Sequence, residues 1–203
     1  GIVVMGLSGC RQGVTPTVPA DTSLPWDPGE FVGESALEEV RKLVELGPRD
    51  STTEGVVRAA KHLYQRYTDL GIEAEIQTFS DSLNGRTEEF HNVVARIAGC
   101  SDWIIIIGSH YDTKAGIADN FIGANDSGSS TGALLELART ALVASRIQPL
   151  EATLEFIAFD GEECKIGYGP QDGFHGSRHY ARKLKEKGMV DNIRAMILLD
   201  MIG

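Results

Sequence analysis

The stretch "WIIIIGSHYD", residues 103–112, decides the reading of the fold. Ile104 to Ile107 form an apolar run with no polar alternation, which suits a strand buried on both faces rather than one open to water. The run passes through Gly108 and Ser109 directly into His110 and Asp112, so side chains able to do chemistry follow the strand at once. Two further runs have the same form. "ATLEFIAFD" (152–160) leads into Glu162 and Glu163, and "RAMILLDMIG" (194–203) contains Asp200. Between them "SGSSTGALLELARTALVA" (127–144) and "GSRHYARKLKEKG" (176–188) read as helices. Alternating strands and helices imply an α/β fold, a three-layer αβα sandwich around a mixed, largely parallel sheet. In such sheets ligands bind beyond the carboxyl ends of the strands.

Upstream, Ser35 and Glu38 have the spacing of a capping box, and Leu37, Val40, Leu43 and Val44 supply one apolar face up to Gly47-Pro48. A second helix is expected from Thr53 to Leu70, stopped by Gly71, followed by strands at 72–79 and 91–99. With 203 residues, 42% of them apolar, the chain has enough material for one core. Its net charge of −10, with its acidity spread along the chain, argues against a nucleic-acid surface. Its 23 glycines point to shaped loops, where function is expected to sit.

The division expected from sequence is a leader segment at 1–10, a linker or arm at 11–34 and a domain at 35–203. The opening "GIVVMGLSGC" is apolar, too short to span a bilayer, and ends in small residues before Cys10. Leu7-Ser8-Gly9-Cys10 resembles a bacterial lipobox, which implies export and a lipid anchor through Cys10. Residues 11–30 carry Pro16, Pro19, Pro25 and Pro28 and read as extended. Cys100 and Cys164 are too few to define a disulfide framework, and sequence does not give their separation.

Five acidic residues and one histidine fall at or near the predicted strand ends: His110, Asp112, Asp160, Glu162, Glu163 and Asp200. Asp126, in "GANDSGSS", lies just before a helix. Carboxylates converging on one sheet edge repel and shift one another's pKa unless a cation neutralises them. Taken singly, Asp126 reads as a helix N-cap and His110 as an ordinary hydrogen-bonded histidine. Asp200 resists that reading, because an unpaired carboxylate inside an apolar run costs several kcal/mol. Taken together they favour a metal, and a His plus Asp/Glu set without thiolates suits catalytic zinc with an open position.

The motifs "HYDT" (110–113), "GANDSG" (123–128), "DGEE" (160–163) and "LLDMIG" (198–203), in this order, resemble the M28 family of zinc aminopeptidases and their relatives, the glutaminyl cyclases. The resemblance implies that Asp126 and Glu163 are zinc ligands and that Glu162 is the catalytic acid/base. It implies that His110 and Asp200 hold a second zinc or stand beside the first, that Asp200 is also catalytic, and that Asp112 orients the His110 imidazole. Both branches take a last histidine ligand from beyond the "LLDMIG" strand, so the chain reads as a domain without its C-terminal part.

The two branches use these residues differently. In the aminopeptidases two zinc ions hold a water that the residue at Glu162 would deprotonate. In the cyclases one zinc polarises the side-chain carbonyl of an N-terminal glutamine, whose own α-amine attacks it. The segment after Glu163 separates them: twelve residues precede Gly176, and "GPQDGFHGSRH" (169–179) resembles the "PQD…GSRH" segment of animal-type cyclases. Tyr168 falls where those enzymes have a pocket tryptophan, which implies an aromatic wall for substrate. Asn125 and the residues after Asp126 are closer to the peptidase pattern, whereas Arg178 and His179 read as structural. The expectation is a zinc-dependent glutaminyl-peptide cyclotransferase acting on peptide N-termini. The alternatives are an M28 aminopeptidase and a non-catalytic binding module, the last disfavoured by the intact Glu162-Glu163 pair.

Overall fold

The structure is a computed structural model, which describes residues 31–203 and the backbone of residues 2–6. Among the described residues six strands form one sheet: β1 (Ile2–Gly6), β2 (Glu73–Leu83), β3 (Arg86–Ile97), β4 (Ile104–His110), β5 (Thr153–Phe159) and β6 (Ile193–Leu199). Their spatial order is β1-β6-β4-β5-β3-β2. The sheet is mixed. β6, β4 and β5 run parallel, and β1, β3 and β2 join by antiparallel pairing. The isoleucine run explains why β4 sits centrally. Ile105 and Ile107 pack into the core beneath two helices, α2 (Glu54–Asp69) and α3 (Ser130–Ile147), whereas Ile104 and Ile106 pack against Tyr180 of α4 (His175–Glu186) on the opposite face. Each buried isoleucine contributes roughly 1.5–3 kcal/mol. Helices on both faces make three layers, and α1 (Gly33–Glu45) packs on α3.

Three local expectations are revised. The Ser35–Glu38 capping box does not form: α1 begins at Gly33 after an extended Val32, with no side-chain cap. Glu38 turns instead to Arg41, its neighbour one helical turn on. The helix expected from residue 127 begins at Ser130, after an irregular turn, Ala124–Ser129, in which Asp126 has non-helical backbone angles. The strands expected at 72–79 and 91–99 extend toward each other into a hairpin closed by Asn84 and Gly85, both at positive φ. Adjacent Asn-Gly is a strong hairpin signal, and it fixes the register from Leu83↔Arg86 onward. Ile2–Gly6, within the segment read as a leader, pairs with β6. Cys10 and the proline-rich arm lie outside the described residues. Among the described residues no helix is long and apolar enough to cross a membrane.

Candidate metal and catalytic site

Parallel pairing carries the carboxyl ends of β4, β5 and β6 to one edge. His110 stands level with Phe159, and Gly108 with both Ile157 and Leu198. The residues just past those ends are therefore thrown together. His110 Nε2 lies 3.0 Å from Asp126 Oδ1 and 3.6 Å from Asp200 Oδ1, while its Nδ1 lies 3.4 Å from Asp112 Oδ1 and 3.9 Å from Glu162 Oε2. Asp126 caps no helix; its carboxylate faces the imidazole. Asp200 sits one residue beyond β6, with about half its side chain in solvent (46%), so the buried carboxylate expected from the apolar run is relieved by the strand's ending at Leu199.

His110, Asp126 and Asp200 offer one ligand atom each within 4.8 Å of one another, a set suited to a divalent metal. Burial alone would lower the His110 pKa. The carboxylates of Asp112, Asp126 and Asp200 outweigh it and hold the imidazole well above its ordinary range. The Glu163 carboxylate is turned elsewhere, accepting a hydrogen bond from the Tyr168 hydroxyl at 3.2 Å and standing 3.6 Å from Lys114 Nζ. Burial, then the nearby Asp126 and Asp112, raise its pKa. Glu162, 3.4 Å from the same hydroxyl, is pushed up to about 7 by burial and by Asp112, Glu163 and Asp200, against the pull of His110.

Asp112 does more than stand beside the imidazole. Fully buried, it accepts the backbone N–H of Glu162 at 3.2 Å and of Glu163 at 3.0 Å, plus the Ser51 hydroxyl at 3.0 Å. It thereby fixes the loop that carries both glutamates. Asp160 belongs to the scaffold: its carboxylate accepts the His91 N–H at 2.8 Å, its own N–H donates to Asn92, and its carbonyl receives Gly176 N–H. Burial and the Asp112 charge push its pKa up. His175 and His179 are also structural. His175 hydrogen-bonds Asp81 at 2.9 Å and stacks on Phe90, and His179 stacks on Phe79.

Four contributors were given no role in the sequence reading, although Gly123 and Asp172 lie within the quoted motifs. Buried Arg49 donates to the carbonyls of Tyr111, Ile122 and Gly123, tying the segment after β4 to the turn before Asp126. Gly123 must be glycine: its φ is +50°, and a Cβ there would collide with the Asp126 carbonyl. Lys114 reaches the Cys164 carbonyl and lies 2.8 Å from its sulfur. Asp172 organises the segment bearing Tyr168. Cys100 and Cys164 are both free thiols, the first exposed and the second buried.

An α/β sheet with an imidazole and carboxylates gathered beyond its parallel strands defines the class: an α/β domain whose sheet edge carries a group that could hold a metal. The chain belongs to peptidase family M28, whose family model matches residues 92–203. The glutaminyl-peptide cyclotransferase of Drosophila melanogaster is 32% identical over 158 residues, 75% of this chain and 43% of that protein. A glutaminyl cyclase from an Acidobacteriales bacterium superposes with a TM-score of 0.78 at 29% identity, covering 93% of this chain and 64% of the other. A leucine aminopeptidase precursor from Bacteroides thetaiotaomicron gives 0.71 at 28%, covering 86% and 63%. The chain spans about half the length of the curated relatives it matches.

Proposed function

We propose that this chain serves a zinc-dependent glutaminyl-peptide cyclotransferase, which converts an N-terminal glutamine to pyroglutamate and releases ammonia. The observation that carries the reading is the segment between Glu163 and Gly176, which folds back so that the Tyr168 ring and hydroxyl stand over the glutamate pair. The chain's likeness to cyclases from an insect and a bacterium supports the same choice. Asp126 with His110, Asp200 or Glu163 would hold the metal, whose chemistry when bound is to polarise the substrate's side-chain carbonyl. Glu162 takes the proton from the α-amine as its nitrogen bonds to the side-chain carbon, then delivers it to the departing ammonia. Tyr168 forms an aromatic wall for the glutamine side chain. Because nucleophile and electrophile belong to one residue, positioning supplies much of the rate.

A second reading, an M28 aminopeptidase, is favoured by one observation: His110, Asp126 and Asp200 form a compact group of their own, apart from Glu163. Full-length protein incubated with a Gln-initiated peptide and with leucine p-nitroanilide separates the two. Ammonia release with a mass loss of about 17 Da supports the cyclotransferase; release of nitroaniline overturns it in favour of the peptidase. Zinc counted in the purified full-length protein gives the metal stoichiometry. Export with a lipid anchor at Cys10 is also proposed, on Leu7-Ser8-Gly9-Cys10. Labelled palmitate incorporated by the wild type and lost in Cys10→Ser would bear it out; equal labelling would sink it.

A further inference from the structure

Asp172 is 3% exposed, and among the described residues its carboxylate is met by four amide N–H groups. Its Oδ1 accepts the backbone N–H of Lys165 at 2.7 Å. Its Oδ2 accepts those of Ile166 at 2.8 Å and Gly167 at 3.2 Å, and the side-chain amide of Asn84 at 3.1 Å. Asn84 is one of the two left-handed residues of the β2–β3 turn, and its own N–H donates to the Gln171 carbonyl at 3.0 Å. The hairpin tip and the segment after Glu163 are thus joined at two points, both beside Asp172. Three consecutive amides converging on one carboxylate set the path of the chain into Tyr168. The ring then rests against Gly173, where a Cβ would meet it at 2.6 Å, and stacks on Phe174 at 4.9 Å.

We propose that Asp172 is a positioning residue for the reaction, clasping residues 164–173 to the Asn84 turn so that Tyr168 stands over Glu162 and Glu163. The substrate in the test rests on the cyclotransferase reading; the clasp itself does not. Asp172→Asn keeps the shape but replaces one acceptor oxygen with an NH₂ group that faces N–H donors. Asn84→Gly keeps the left-handed turn and removes only the side-chain donor.

The test uses the full-length protein with these two variants, Tyr168→Leu, and the Asp172→Asn/Tyr168→Leu double variant. In Asp172→Asn, hydrogen exchange at the amides of 165–167, read by mass spectrometry, rises at least about tenfold. KM for a Gln-initiated peptide rises about tenfold while kcat falls less than about threefold. In the Tyr168→Leu background the same substitution changes KM less than about twofold, because it acts through a ring no longer there. Asn84→Gly moves exchange and KM the same way by about threefold, and it carries the test if Asp172→Asn fails to fold. Wild-type protection at 165–167 in Asp172→Asn, or an equal KM effect with and without Tyr168, overturns the proposal. A wild type inert toward the peptide would overturn the cyclotransferase reading, and exchange at 165–167 would still decide the clasp.

Discussion

Arg49→Met tests how the site's loops are held. The guanidinium is fully buried and donates from Nε to Tyr111 O at 2.9 Å, and from its terminal nitrogens to Ile122 O at 2.8 Å and Gly123 O at 3.2 Å. Burial lowers its pKa to about 10, with Asp112 and Asp50 opposing, so it is a cation at pH 7. Hydrogen bonds to a charged group contribute roughly 1.5–3 kcal/mol each. Methionine would remove those donors and strand buried carbonyls at about 1–3 kcal/mol apiece, while relieving the desolvation of a buried charge, which offsets several kcal/mol. The net expectation is a loss of about 3–4 kcal/mol, a large share of a total of roughly 5–15. With a urea m-value near 2 kcal/mol/M, the unfolding midpoint followed by circular dichroism falls by about 1.5–2 M. A shift below about 0.5 M would mean that the carbonyls find other partners and that Arg49 does not hold the loops.

Glu162→Gln removes the proton shuttle without changing size; turnover of a Gln-initiated peptide should fall at least about 100-fold with zinc content unchanged, and retained activity would refute the assigned role. Asp126→Ala deletes the carboxylate 3.0 Å from His110 Nε2, so zinc affinity measured by chelator competition should drop at least about tenfold. Burial would raise the Asp172 pKa, but the amides of Lys165, Ile166 and Gly167 and the side chain of Asn84 outweigh it and hold it at about 2, below its unfolded value near 3.9. A depressed folded pKa stabilises above the unfolded one and is lost as pH falls toward the folded one. The stability gap between wild type and Asp172→Asn, from urea midpoints, should therefore be constant above about pH 5 and shrink between about pH 4 and 2.

The sheet was legible because its signal is local and repeated. Four isoleucines with no polar alternation suit a doubly buried strand, and each parallel strand runs straight into its functional residues. The motifs named His110 and Asp200 because a strand's end fixes where the next side chain falls, whereas Asp126, in an irregular turn before α3, was reached through the family resemblance. Backbone geometry that depends on distant partners was not legible. Ser35 and Glu38 have capping-box spacing, but Val32 N–H already donates to Glu136, across the interface with α3, which starts α1 earlier. The Asn84-Gly85 turn was present as a dipeptide signal and unused; what it reaches, Asp172, lies 88 residues away.

Arg49, Asp112 and Asp172 share one physical logic. Loops beyond the sheet edge leave carbonyls and amides without ladder partners, and burying them unpaired costs free energy at every group. The carbonyls of residues 111, 122 and 123 converge on a cation, the amides of 162 and 163 on one carboxylate, and those of 165, 166 and 167 on another. The sign of each buried charge matches the end of the peptide dipole it meets. A charge of the wrong sign at any of the three would face like polarity from several backbone groups at once, and a neutral isostere would satisfy only part of them. Composition counts these residues among the solvated charges. Only the loops' convergence reveals that they are what holds His110, Asp126 and the glutamate pair at the same edge.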